Sequence, residues 1–223
     1  MNIIAVDSIT PVLSVTAAGP NGKITITVSS GGQHAENMVP IIDRAMSLAG
    51  FAPRETNLAV CAEGPGSFTG LRLAYAACKG IQLAASCPLR PVAPLPCYAH
   101  NASEWPGAVI SVLDAKKNRF YAQVFRRGTP VTDALDVDAK DIMQYVDQAE
   151  RILVVGPDAT LFASALADAV PALDLTALSS GTNGISDIME LFAENENAHY
   201  NQEVPDHAGP VYVRKSDAEA SQG

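Results

Sequence analysis

Ile24, Ile26 and Val28 alternate with Thr25, Thr27 and Ser29, the two-residue period of a strand with one buried face. Two further runs precede it: Asn2–Asp7, short, apolar and ending in an acid, and Val12–Ala18. A turn at Gly19-Pro20-Asn21-Gly22 joins the last pair, so the opening predicts an antiparallel meander. The period then changes. From about Gln33 to Leu48, Ala35, Met38, Val39, Ile42, Ala45, Met46 and Ala49 recur at three and four, a helical stripe that Gly50 closes. Asn57–Ala62 reads as a fourth strand. The run Glu63-Gly64-Pro65-Gly66-Ser67-Phe68-Thr69-Gly70 turns sharply into a second helix, about Thr69 to Ala85. Leu71, Ala74, Tyr75 and Cys78 form one apolar side of it; Leu73, Ala76, Ala77, Gly80, Ile81 and Ala84 form another. A helix apolar on two sides needs two covers. One is its own sheet, and a second chain is a candidate for the other.

The Pro-rich stretch Pro88–Pro96 reads as the crossing between two lobes. Val109–Asp114 is a near-continuous apolar run ending in an acid, as a central strand would be, and Arg119–Arg126 is its hairpin partner. A helix near Ala139–Val146, a strand at Ile152–Val155 and helices near Ala159–Leu166 and Ser186–Ala193 follow. The polar stretch Glu194–Asp206 reads as a linker, and Val211-Tyr212-Val213 as a short closing strand. Ile3–Asp7 with its hairpin and Val109–Asp114 with its hairpin look like two copies of one plan. The expected architecture is a duplicated α/β fold, with lobes at 1–104 and 105–206 and the segment 207–217 returning to the first.

The chain has 223 residues, 48% of them apolar and 17% charged, which is enough for a sizeable core and too apolar for disorder. The net charge of −9 is uneven. Residues 1–127 carry 11 Lys and Arg against 7 Asp and Glu, and residues 128–223 carry 4 against 17, leaving the halves at +4 and −13. An acidic chain is a poor stand-alone binder of nucleic acid. The basic cluster Lys116, Lys117, Arg119, Arg126 and Arg127 is either a solvated surface or a contact to RNA held mainly by a partner. Cys61, Cys78, Cys87 and Cys97 show no paired metal-ligand spacing and predict reduced, core-filling thiols. The start lacks a basic region and a signal-length apolar run, and no stretch approaches a membrane span, so a cytoplasmic protein is expected.

The Gly-rich turn fails three active-site patterns. A Walker loop requires Lys after its last Gly, where Gly70 is followed by Leu71. A nucleophile elbow requires Gly where Pro65 stands, and a Rossmann fingerprint requires Gly where Thr69 stands. What remains is a strand, a turn and a helix start with Ser67 or Thr69 as N-cap, which either receives a phosphate or is simply a capped turn. His34, His100, His199 and His207 form no metal-binding pair. Asp7 and Asp114 both end apolar strands. Facing each other they could hold Mg²⁺ with a nucleotide; singly, they start turns.

Several segments together resemble the TsaB family. They are Asp7-Ser8-Ile9-Thr10, His34-Ala35-Glu36-Asn37-Met38-Val39-Pro40, Gly64-Pro65-Gly66-Ser67-Phe68-Thr69-Gly70-Leu71-Arg72, Asp114-Ala115-Lys116 with Phe120-Tyr121, and Pro210-Val211-Tyr212-Val213-Arg214. The third is specific; the others are weak singly. The resemblance implies a two-lobed actin-like ATPase (ribonuclease H-like) fold, with duplicated mixed sheets flanked by helices. It implies a role in adding threonylcarbamoyl to adenosine 37 of tRNAs reading ANN codons. In that scheme a TsaD paralogue carries the metal and transfers the group, a TsaE ATPase joins, and this chain is a non-catalytic scaffold without catalytic or metal residues. No cofactor is assigned to it beyond weak nucleotide binding, because Ile9 stands where the phosphate motif of active relatives has Gly, and ATP is used by the partner subunits. The residues Asp7, Gly64, Pro65, Gly66, Ser67, Phe68, Thr69, Gly70, Arg72 and Asp114 are then either a family motif or a vestigial phosphate loop. The partner surface falls on two helices, at His34, Met38, Ile41 and Ala45 and at Leu73, Ala77, Gly80 and Ala84. It serves TsaD or, in the lone chain, a homodimer, with tRNA bound only in the complex. An actin-like ATPase, kinase or peptidase-like enzyme acting alone is the alternative.

Overall fold

The computed structural model describes residues 1–29, 31–179, 184–194, 209–211 and 213. Strands β1 (Ile3–Asp7), β2 (Val12–Gly19) and β3 (Gly22–Ser29) form the expected antiparallel meander, followed by α1 (His34–Ala49), β4 (Leu58–Ala62), α2 (Phe68–Ala85) and β5 (Leu89–Val92). Then come α3 (Pro94–Ala99), the hairpin β6 (Ala108–Lys116) and β7 (Arg119–Arg126), and two short strands, β8 (Thr129–Pro130) and β9 (Leu135–Val137). A 3₁₀ segment at Ala139–Gln144, β10 (Ile152–Gly156), α4 (Ala159–Ala169), β11 (Leu175–Ser179) and α5 (Ser186–Glu194) complete the described elements.

The duplication is carried by the strand order. One sheet runs β3-β2-β1-β4-β5 and the other β8-β7-β6-β10-β11, with β9 also paired to β7. In each, an antiparallel hairpin is extended by parallel strands: β1 pairs β4 and β4 pairs β5, as β6 pairs β10 and β10 pairs β11. β1 lies inside its sheet and is buried along its whole length, which is why it reads as an unbroken apolar run. β3 is an edge, and its Ile24, Ile26 and Val28 alternate half-buried with exposed Thr25, Thr27 and Ser29.

The chain divides into two compact units, 1–94 with α5 and 209–211, and 95–179. In the first, α1 and α2 cover one face of the sheet around Ile4, Val6, Leu13, Val15, Ala59 and Cys61. α5 covers the other face, burying Ile185, Met189 and Ala193, and Ser186 Oγ lies 2.6 Å from Ser14 Oγ and 2.8 Å from Thr16 Oγ1. The sequence reading ends the first lobe at 104 and places this helix in the second; the described contacts group it with the first sheet instead. In the second unit, Phe120 and Phe162 meet edge to face at 5.0 Å in a core with Ile110, Val112 and Val154, while Ala99, Val109, Phe125 and Leu153 fill the other face.

Three expectations change. Ala35 and Val39 lie outside the buried stripe of α1, which runs His34, Met38, Ile42, Ala45, Met46, Ala49. The helix expected at Ala139–Val146 is a 3₁₀ turn, with Ala139 and Ile142 buried at its spacing of three. The Pro-rich crossing contains β5, where Pro91 is tolerated because the strand is an edge. Tyr212 of the expected closing strand and the linker at 195–206 lie outside the described residues.

Candidate functional site

The Gly-rich motif closes onto the loop after β1. Ser67 caps α2, its Oγ accepting from Gly70 N at 3.3 Å, while Leu71 N donates to Ser67 O at 2.8 Å. Ser67 N in turn donates to Ile9 O at 3.0 Å, and Ser8 Oγ to Gly70 O at 2.8 Å. The glycines permit this approach: a Cβ on Gly70 would overlap the Ser8 carbonyl oxygen, and one on Gly66 would stand 2.5 Å from Ile9 Cβ. Ile9 is 4% exposed. Its side chain occupies the space that a glycine there would open, and the N–H groups of Ser67, Gly70 and Leu71 are already engaged. Of the two cap candidates, Ser67 is the one that caps the helix.

Asp7 is completely buried at the centre of this closure. Its Oδ1 accepts from Ile9 N and its Oδ2 from Ile185 N, both at 3.1 Å, so one carboxylate ties β1 to the N-terminal end of α5. Burial pushes its pKa up to about 6 against the two hydrogen bonds and the nearby His34, which pull it down. His34 Nε2 lies 2.7 Å from Thr10 O, fastening α1 to the same loop. Glu63, just before the motif, is also raised by burial. At the helix start the Arg72 guanidinium stacks 3.8 Å above the exposed Phe68 ring.

Asp114 ends β6 as Asp7 ends β1, in surroundings of another kind. Its Oδ1 accepts from Lys116 N and its Oδ2 meets Lys116 Nζ, both at 2.7 Å, and Asp158 Oδ2 accepts from Asp114 N at 2.8 Å. Of the basic cluster, Arg119 is paired with Asp136 at 2.6 Å and Arg126 with Glu150 at 2.8 Å. Cys61, Cys78, Cys87 and Cys97 are buried and form no disulfide, and burial, reinforced by a hydrogen bond that the Cys61 thiol donates to Cys78, pushes the Cys61 thiol far up. Among the described residues no group of three or more His, Cys, Asp or Glu side chains is placed to hold a metal. No helix among them is long and apolar enough to cross a membrane.

The eight residues assigned to a partner surface separate. His34, Met38 and Ala45 point into the core of their own unit, where packing with the sheet occupies them. Ile41, Leu73 and Ala77 are half-buried against that core, and Gly80 and Ala84 are exposed. The outward side of α2 therefore carries Ala76, Gly80, Leu83 and Ala84, bordered by Leu73 and Ala77. Leu83, 82% exposed, was not among the assigned residues; its place three beyond Gly80 on the small-residue side is the signal for it.

A strand, a hairpin and two parallel strands repeated once, with a strand-end Asp in each copy, define the class: this is the actin-like ATPase fold. Two solved structures share it, each at a TM-score of 0.76: a Pseudomonas aeruginosa protein described as similar to the peptidase YeaZ, and YeaZ from the same organism. They are 21% and 20% identical to this chain, covering 96% and 95% of it and 99% of their own lengths. Proteins called tRNA threonylcarbamoyladenosine biosynthesis protein TsaB are similar in sequence. That of Bacillus subtilis is 23% identical over 84% of this chain and 82% of its own length. Those of Haemophilus influenzae and Escherichia coli are 29% and 28% identical over 56% and 57% of this chain, and the match spans just over half of each relative, 55% and 56%. The family model described as TsaD: tRNA N6-adenosine threonylcarbamoyltransferase matches residues 28–205. The chain belongs to that family, in its TsaB branch.

Proposed function

We propose that this chain is a non-catalytic subunit that pairs with a TsaD-type transferase and supports threonylcarbamoylation of adenosine 37 in tRNAs reading ANN codons. The observation carrying this reading is the outward side of α2. Ala76, Gly80, Leu83 and Ala84 present small and apolar groups to solvent, and nothing lies within 4 Å of a Cβ placed on Gly80. Small residues let a second helix approach closely, and an exposed apolar strip marks association on a folded protein. The closed Gly-rich loop supports the non-catalytic half of the proposal. In this reading TsaE joins the pair, ATP is used by the partners, and tRNA is gripped only by the assembled complex, in the cytoplasm. A homodimer through the same strip is the state of the chain without its partner.

Co-purification of the full chain with a TsaD-type partner tests it, alongside thermal melting of the free chain. Gly80→Arg and Leu83→Glu each place an unpaired charge in a dry contact, so pairing should weaken by about tenfold or more while Tm moves by no more than about 2 °C. Pairing unaffected by both substitutions, or steady ATP turnover by the chain alone, overturns the proposal.

A further inference from the structure

A helix leaves its last four backbone carbonyls without helical partners. At the end of α1 two of them are served by the residues that follow: Gly50 N donates to Met46 O at 2.9 Å and to Ser47 O at 3.3 Å, and Phe51 N to Met46 O at 3.2 Å. The other two, on Leu48 and Ala49, are served by one residue of the β2–β3 turn. Asn21 N donates to Ala49 O at 3.0 Å, and Asn21 Nδ2 to Leu48 O at 3.3 Å. Asn21 also fills the space beside Gly50, where a Cβ would stand 2.7 Å from its Cγ. The last turn of α1 holds no basic side chain, so the helix itself offers no charge against its negative end.

The residue that completes this helix end is also chemically labile. Asn21 is exposed and is followed by Gly22, in a two-residue turn closed by the Gly19–Gly22 pair. Gly22 has no side chain to hinder approach to its backbone nitrogen, and its φ of 110° is one that other residues rarely adopt. Nothing lies within 4 Å of a Cβ placed there, so water reaches the turn. The bond from Asn21 Nδ2 to Leu48 O is long for an amide–carbonyl pair and lies at the surface, so it restrains the side chain only weakly.

We infer that Asn21 is a modification site: it deamidates through Gly22, and the product unfastens the C-terminal end of α1. The Gly22 backbone nitrogen attacks Asn21 Cγ and gives up its proton as the new N–C bond closes a succinimide ring. The Cγ–Nδ2 bond breaks, and the amide nitrogen leaves as ammonia with that proton. Water, the only co-reactant, then opens the ring at one carbonyl to give Asp or at the other to give isoaspartate. Either product sets a carboxylate, which only accepts, against the Leu48 carbonyl at the negative end of α1. Isoaspartate also adds a backbone carbon inside a turn whose register the Gly19–Gly22 pair fixes. This chemistry is independent of the subunit role proposed above and goes beyond it.

The test ages the full chain at pH 6 and at pH 8 and digests it with trypsin, which releases Asn21 in the peptide ending at Lys23. Mass spectrometry reads the exchange of NH₂ for OH, and an isoaspartyl methyltransferase labels the isoaspartate. Asn57 is also exposed but is followed by Leu58, so it serves as the internal reference. Asn21 should convert about tenfold or more faster than Asn57, with isoaspartate among the products. Conversion should be faster at pH 8, because the attacking nitrogen must lose its proton. Asn21→Asp, made directly, should lower Tm by about 2 °C or more, and the aged chain should melt lower as well. Conversion of Asn21 no faster than that of Asn57 overturns the inference, and so does a Tm unchanged in both the aged chain and Asn21→Asp.

Discussion

Asp7→Asn separates the charge of the buried carboxylate from its shape. The carboxyl sits fully buried with a pKa of about 6 against an ordinary value of 3.8, so the folded protein holds this proton more tightly than the unfolded chain does. Its contribution to stability is complete below the unfolded value and is lost as pH rises through about 6. At roughly 1.4 kcal/mol per pKa unit, the loss between strongly acid solution and pH 7 is about 3 kcal/mol, and nearly half falls between pH 5 and pH 7. Asn carries no charge and shows no such slope. It has a single acceptor for the Ile9 and Ile185 N–H groups, so one buried donor goes unsatisfied, at a cost of about 1–3 kcal/mol. The variant should accordingly be the less stable form at pH 5 and gain on the native chain by about 1 kcal/mol by pH 7. Urea unfolding of both proteins at half-unit steps from pH 4.5 to 7.5 measures this, since titrations of groups that do not interact with Asp7 cancel in the difference. Parallel stability curves would refute the account, and so would a difference that runs the other way.

Three further outcomes follow from the packing. Gly70→Ala drives a methyl into the Ser8 carbonyl and should lower stability by about 2 kcal/mol or more, whereas Gly80→Ala meets open space and should raise it by up to about 1 kcal/mol; paired thermal melts compare them. Lys23 lies 2.5 Å from Glu190, whose side chain is nearly buried, so Lys23→Ala should cost about 1–2 kcal/mol in urea unfolding, with recovery in the Lys23→Ala/Glu190→Gln double variant. Phe162→Ala empties a fully buried ring site and should cost about 3–5 kcal/mol by the same measurement.

The parts legible in the sequence are those where one period dominates. β1, β6 and β10 are central strands and read as apolar runs; β3 is a half-buried edge and reads as alternation. α2 was legible to within a residue of its start, with Ser67 and Thr69 both open as its cap; the structure assigns Ser67. β5 was hidden by Pro91, and β11 by the short, weakly alternating Leu-Thr-Ala-Leu-Ser at a sheet edge. The error in α1 is confined to its first turns: Ala35 and Val39 fit a spacing of three and four but stay exposed, while His34 joins the buried stripe, and only the position of the sheet decides between them. The resemblance put His34, Met38 and Ala45 on a partner surface, although Met38 and Ala45 also belong to the apolar stripe that meets the sheet. Which side of a helix meets its own sheet is a tertiary fact that hydrophobicity alone does not encode.

The two copies of the fold have diverged at the same point, and the length of the covering helix explains how. In the first unit α5, nine residues long, crosses the back of the sheet and delivers the Ile185 N–H to Asp7. That contact and the Ile9–Gly66 approach close the loop, so the strand-end acid becomes an internal tie. In the second unit the corresponding cover is α3, only six residues, grouped with Val109, Phe125 and Leu153. Val109 is five residues before Asp114, roughly 16 Å along an extended strand, so the acid end of β6 lies beyond that short cover. Asp114 is bonded to Lys116 and Asp158, and the neighbouring hairpin tip borders a cavity of this unit. The same strand-end acid thus serves two structural ends: in the first copy it is a buried tie between β1 and α5, and in the second it is a partly exposed bond that shapes a hairpin turn.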